Sequence, residues 1–181
     1  MDSSQKETRA CVELRALGGR RVGGYAALFD SLSADLGGWF EVVKPGAFTR
    51  SLLSVDVVAL HHHKPELILG RSSAGTLRLN VDQRGLAFEI DLPNSTAGSD
   101  VLESITRGDL TGASFAFTVP HNGDRWTTQN GKRVRELLDV DLHDISVTAR
   151  PAYPDTEVAR RALLDIHPWQ RTLANRFLET V

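Results

Sequence analysis

The chain has 181 residues, 41% hydrophobic and 24% charged, proportions of an ordinary globular domain that exclude a disordered chain, a coiled coil and a collagen-like repeat. Its 21 Lys and Arg against 23 Asp and Glu leave a net charge of −2 without a block of like charge, so composition points to no nucleic-acid or membrane partner. The single Cys11 cannot form an internal disulfide, no apolar run approaches the roughly 20 residues of a membrane span, and the first residues lack the order of a signal peptide, so one soluble domain in a reducing compartment is expected.

Residues 1–9 are polar and are expected to fray. Beyond them come segments of strand length: 21–29, bent by its glycines, 39–43, closed by Pro45-Gly46, and 56–61, rich in β-branched residues. A short helix is expected over 47–53. Segments 76–81 and 86–92 flank Asp82-Gln83-Arg84-Gly85, a hairpin signal. Val101, Leu102 and Ile105 before Gly108 predict a helix over 99–107. Strands follow over 112–119, 124–128, 133–140 and 142–149, with Asn130-Gly131 the most specific turn in the chain. Two helices, 155–164 and 169–178, are split by Pro168. Many short strands with few helices predict a mainly β, α+β fold, an antiparallel barrel or sandwich with helices outside. The stripe Trp169, Leu173, Phe177 and Leu178 either covers that barrel or docks on a partner or a second copy.

Three places carry side chains suited to chemistry. His61-His62-His63 stand at the end of an apolar strand, where a side chain reaches a surface cleft from a fixed backbone. Such a run is either a titrating loop, a source of a catalytic base, or, with His61 and His63 on one side of a strand, a pair of metal ligands lacking a third. In 112–118, Ala113, Phe115 and Phe117 share one face, and Gly112, Ser114, Ala116 and Thr118 the other. The second face is lined by small side chains and leaves room for a peptide beside Ser114, which is otherwise an ordinary surface serine. In 142–149, Asp144 alternates with Ile145, projects from the apolar set, and suits either a solvated edge or the orientation of an imidazole. His143 points to the opposite face.

Taken in order, these segments resemble the prohead (capsid-maturation) proteases of tailed phages, relatives of the herpesvirus assemblin proteases. The resemblance runs through Gly24-Tyr25-Ala26-Ala27-Leu28-Phe29, Phe40-Glu41-Val42-Val43-Lys44-Pro45-Gly46-Ala47-Phe48, Leu60-His61-His62-His63 with Leu69-Gly70-Arg71, Gly112-Ala113-Ser114-Phe115-Ala116-Phe117, Asp144-Ile145-Ser146-Val147-Thr148 and Pro151-Ala152-Tyr153-Pro154. It implies a serine endopeptidase with His63 as base, because Arg71 follows eight positions later, Ser114 as nucleophile and Asp144 as third member. His143 is the alternative third member, since assemblins use a second histidine there, and Arg150 is the implied contributor to the oxyanion site. His62-His63-Lys64 departs from the family's usual Asn-His-Asp.

The same resemblance implies a closed or nearly closed antiparallel β-barrel. With the residue pattern it gives the expected order 1–9 flexible N-terminus, 10–154 protease domain and 155–181 helical segment. It implies no cofactor and no metal. The implied substrates are scaffold segments of the major capsid protein or a separate scaffold protein, together with the protease itself. The implied place is inside the procapsid in the host bacterial cytoplasm. A second copy of the chain stays open as a further partner, and composition points to no direct contact with nucleic acid or membrane. Two other classes stay open on the residues: a catalytically inactive assembly protein with the same barrel, and a metal hydrolase using His61 and His63.

Overall fold

In the computed structural model, residues 5–11 and 13–149 are described. Their strands form three sheets. The first has five strands in the order β1 (Glu7–Cys11), β9 (Gly112–Thr118), β12 (Asp141–Thr148), β5 (Val58–His61) and β6 (Lys64–Arg71). The second joins β10 (Asp124–Gln129), β11 (Lys132–Leu137) and β4 (Phe40–Val43), and the third joins β2 (Leu14–Gly18), β3 (Arg21–Leu28), β8 (Gly85–Asp91) and β7 (Leu77–Val81). Two helices, α1 (Thr49–Ser54) and α2 (Thr96–Arg107), accompany them among the described residues. The protein is mainly β, as expected. The helices expected over 155–164 and 169–178 lie outside the described residues.

The sheets are not wholly antiparallel: β12 runs parallel to β5, and β11 parallel to β4. These partners lie far apart in the chain, so no tight turn dictates their direction. Three strands went unannounced. β1 begins at Glu7, inside the stretch expected to fray, while β2 precedes the expected segment 21–29 and β6 follows the expected segment 56–61. Among the described residues no helix is long and apolar enough to cross a membrane.

Alternation explains most of the rest. Leu86, Phe88 and Ile90 on β8 are buried, as are Ala113, Phe115 and Phe117 on β9. Phe48 meets Phe115 edge-on at 5.5 Å, and Phe115 stacks on Phe117 at 5.1 Å. Each such ring removed from water stabilises the fold by about 1.5–3 kcal/mol. One core draws on all three sheets and on Val101 and Ile105 of α2, the residues whose helical spacing predicted that helix. Ser95 caps α2 by accepting the Gly98 N–H at 3.2 Å, and Gly108 ends it with φ of 84°, a cap of about 1 kcal/mol and a left-handed stop. The bend expected in β3 is a register shift against β8 between Tyr25 and Ala27. Gly24 is required there for a different reason: a Cβ would stand 1.7 Å from the Glu13 carbonyl oxygen.

The register of the first sheet sets the site. Ser146 on β12 pairs with Ser114 on β9, and Asp144 pairs with Ala116. On the other side of β12, Ser146 pairs with Leu60 and Val147 with His61. A carboxylate two residues along a neighbouring strand lies diagonally from the serine, about 7–8 Å backbone to backbone. That gap is the width of an imidazole with a hydrogen bond at each end.

Candidate active site

The imidazole comes from a turn. β5 ends at His61, which pairs with Lys64, and the two residues between, His62 and His63, have φ of 53° and 56°. Two central residues with positive φ are the pattern of a type I′ hairpin turn, ordinarily built from Asn and Gly. A side chain in this region costs of order 1 kcal/mol or more and persists only where the surroundings over-determine it. Here the His62 N–H is held by the Val147 carbonyl at 3.1 Å and the His63 N–H by Ser146 Oγ at 3.0 Å.

The turn also removes His63 from strand alternation, so His61 and His63 do not share one side of a strand as expected. His61 stacks against His62 with ring centroids 4.4 Å apart, and its buried Nε2 has no hydrogen-bond partner among the described residues. Burial, then the neighbouring His62 and Lys64, push its pKa down, which fits a neutral ring. Among the described residues no three His, Cys, Asp or Glu side chains are grouped as metal ligands.

His63 is brought to both other expected residues. Its Nδ1 lies 2.5 Å from Asp144 Oδ1 and its Nε2 lies 2.7 Å from Ser114 Oγ. Asp144 is 3% exposed. Its Oδ1 also accepts from Ser146 Oγ at 3.2 Å, and its Oδ2 from Lys6 Nζ at 2.8 Å. Burial pushes the Asp144 carboxyl up, but hydrogen bonds from His63 and Lys6 outweigh it and hold the group below the ordinary carboxylate range. An ionised Asp144 keeps the proton of a neutral imidazole on Nδ1 and turns the Nε2 lone pair to Ser114.

The small-residue face around Ser114 is not open as expected. Ser114 is only 3% exposed and Ala116 is fully buried. Access runs instead through a cleft of about 440 Å³ lined by Thr8, Arg9, Ala10, His62, His63, Ser114, Thr148 and Ala149. One wall is therefore β1, the strand taken for a frayed end. Ser114 Oγ donates to the Arg9 carbonyl at 2.8 Å, so its one proton has two acceptors, that oxygen and His63 Nε2. A neutral imidazole competes for the proton, whereas an imidazolium donates to Oγ and leaves it on Arg9.

β1 is anchored from below. Arg9 makes paired hydrogen bonds to Glu41 at 2.7 and 3.0 Å, and Arg135 joins Glu7, Asp124 and Glu41. Glu41 is 3% exposed, so this is a desolvated pair in which each partner needs the other.

Sequence reasoning missed Lys6, the Arg9 carbonyl and Ser146. The only trace of the first two was the alternation of charged Glu7 and Arg9 with small Thr8 and Ala10. His143 is exposed, with Nε2 3.1 Å from Thr118 Oγ1 rather than near His63, beside the register shift between Leu142 and Asp144. Arg150 lies outside the described residues.

No curated protein and no solved structure matches the chain. A family profile described as caudovirus prohead serine protease does, over residues 9–167, from β1 past the end of β12. With most of its length inside that profile, the chain belongs to the caudovirus prohead serine protease family.

Proposed function

We propose that the chain is the serine endopeptidase of capsid maturation that its family suggests, with Ser114 as nucleophile, His63 as general base and Asp144 as its orienting carboxylate. The observation that carries this is the unbroken line of hydrogen bonds from Asp144 through His63 to Ser114 across β12, the β5–β6 turn and β9. Ser114 Oγ attacks the carbonyl carbon of the scissile peptide as His63 Nε2 takes its proton. Collapse of the tetrahedral intermediate returns that proton to the leaving amine, and water repeats the cycle on the acyl-enzyme. Asp144 holds the ring and stabilises the imidazolium without taking the proton. Backbone N–H groups near Ser114, with Arg150, are proposed to meet the oxyanion.

The family supports a capsid or scaffold protein as substrate in general. Scaffold segments of the major capsid protein, and the chain itself, are the substrates proposed, digested inside the procapsid in the host cytoplasm. The three sheets around one core are read as the sides of a nearly closed barrel. The test is co-expression with the cognate capsid protein, followed by intact-mass measurement of both products. Wild type should release a defined scaffold fragment, and folded Ser114→Ala should release none. Equal processing by the mutant would end the serine reading and return the inactive assembly protein to first place.

A further inference from the structure

Ser146 takes no part in the proton transfer just described, yet it touches both ends of what holds the base. It lies on β12 between the register partners Ser114 and Leu60 and is fully buried. A serine hydroxyl has one proton to give and lone pairs to receive. Ser146 Oγ receives the His63 N–H at 3.0 Å and gives its proton to Asp144 Oδ1 at 3.2 Å. That oxygen is the one that lies 2.5 Å from the His63 ring.

One hydroxyl thus links the backbone of a residue held at φ of 56° to the carboxylate oxygen that aims its side chain. An apolar side chain here would take away the acceptor of the half-buried His63 N–H at the strained turn and one of the donors that orient the carboxylate. Both losses move the same ring.

We infer that Ser146 is a positioning residue, which fixes the His62-His63 turn and Asp144 Oδ1 to one point so that the imidazole stays in reach of Ser114. This rests on the reading of His63 as the base. A displacement of the ring by about 1 Å is expected to cost on the order of 10²-fold in rate.

The experiment is phosphonylation by a fluorophosphonate, in which Ser114 Oγ displaces fluoride from phosphorus while His63 takes the hydroxyl proton. Labelling is followed to saturation, which separates the maximal rate from the half-saturating concentration, and Tm is measured alongside. Ser146→Ala should lower the maximal rate about 10²-fold and leave the half-saturating concentration within about twofold. Ser146→Thr, which keeps the hydroxyl, should recover most of the rate. Ser146→Cys fills the site with a slightly larger atom and a weaker donor, and should be slow with near-native Tm even if the alanine variant unfolds. A folded Ala or Cys variant labelled at the wild-type rate overturns the inference, as does a folded Thr variant no faster than Ala. Where Thr fails to fold, the Ala and Cys rates decide. Ser114→Ala separates the two readings: if it is labelled like wild type the serine mechanism fails, whereas its silence beside a fast Ser146→Ala removes only the positioning role.

Discussion

Among the described residues, two tight hairpin turns share one backbone pattern and have opposite chemistry. Asn130-Gly131 joins β10 to β11 with φ of 50° and 76°, and His62-His63 joins β5 to β6 with φ of 53° and 56°. The first uses the residues that tolerate positive φ and carries nothing further. The second puts two imidazoles where Asn or Gly would be easier, and holds them by hydrogen bonds to Val147 and Ser146. Strain is accepted where a side chain must project at an angle no strand position offers, and the neighbouring strand stabilises it.

The sharpest break of this comparison is to give the second turn the chemistry of the first. His63→Asn suits the backbone but has no base to offer. It should fold and lose about 10⁴-fold or more in cleavage of a scaffold segment, measured by mass spectrometry with Tm as control. A folded variant that still cleaves at a tenth of the wild-type rate would put the base elsewhere.

Asp144→Asn should cost about 10⁴-fold through the wrong imidazole tautomer, and it also tests the electrostatics of the turn. The folded Asp144 carboxyl sits below its ordinary value, burial notwithstanding, because His63 and Lys6 donate to it. A depressed folded pKa gives stability that is complete above the unfolded value, about 3.9, and is lost as pH falls through the lower folded value. Urea midpoints between pH 2 and 6 should therefore fall more steeply below about pH 4 in wild type than in Asp144→Asn. Parallel curves would mean that the carboxylate is not held down.

The reverse exchange is smaller. Asn130→His with Gly131→His places the strained pair in the turn that has no supporting strand contacts of the same kind. It should cost about 1–3 kcal/mol of stability and leave activity per folded molecule unchanged, as read from urea unfolding beside the cleavage assay.

The same contrast explains what could be read from the sequence. Asn130-Gly131 announced its hairpin because those residues are chosen for the turn itself. His62-His63 announced no turn, and β6, a sheet-edge strand of the kind that tolerates Pro65, went unexpected. β9 is buried on both faces, whereas β8, α2 and much of the core were legible because burial there follows strand or helix period. β1 was not, since Glu7 and Arg9 look like solvent-facing charges and are instead satisfied by Arg135 and Glu41. Of the site, His63, Ser114 and Asp144 stood out by order and spacing through a family resemblance. Lys6, the Arg9 carbonyl and Ser146 meet the site through contacts between residues 83 to 138 positions apart, and no local pattern encodes that.

The smallest effect expected is also the most specific to the turn. His62 shares the strained conformation with His63 and has no partner in the proton relay; its ring is exposed and rests on His61. The family resemblance implies Asn at this place, and although His and Asn are both enriched at positive φ, only Asn has a short polar side chain that bonds to the local backbone there. His62→Asn should therefore raise stability by roughly 1 kcal/mol or less, about 2–4 °C in Tm at most for a chain of this size. Cleavage should stay within a few-fold of wild type, because Asp144 and Ser114 still hold the His63 ring. His62→Val makes the opposite change, since a β-branched residue is least tolerant of positive φ, and its Tm should fall. If Asn and Val shift Tm alike, the turn is not strained at His62. If His62→Asn abolishes cleavage while folding normally, the base belongs one position earlier than the geometry of Nε2 and Ser114 Oγ assigns it.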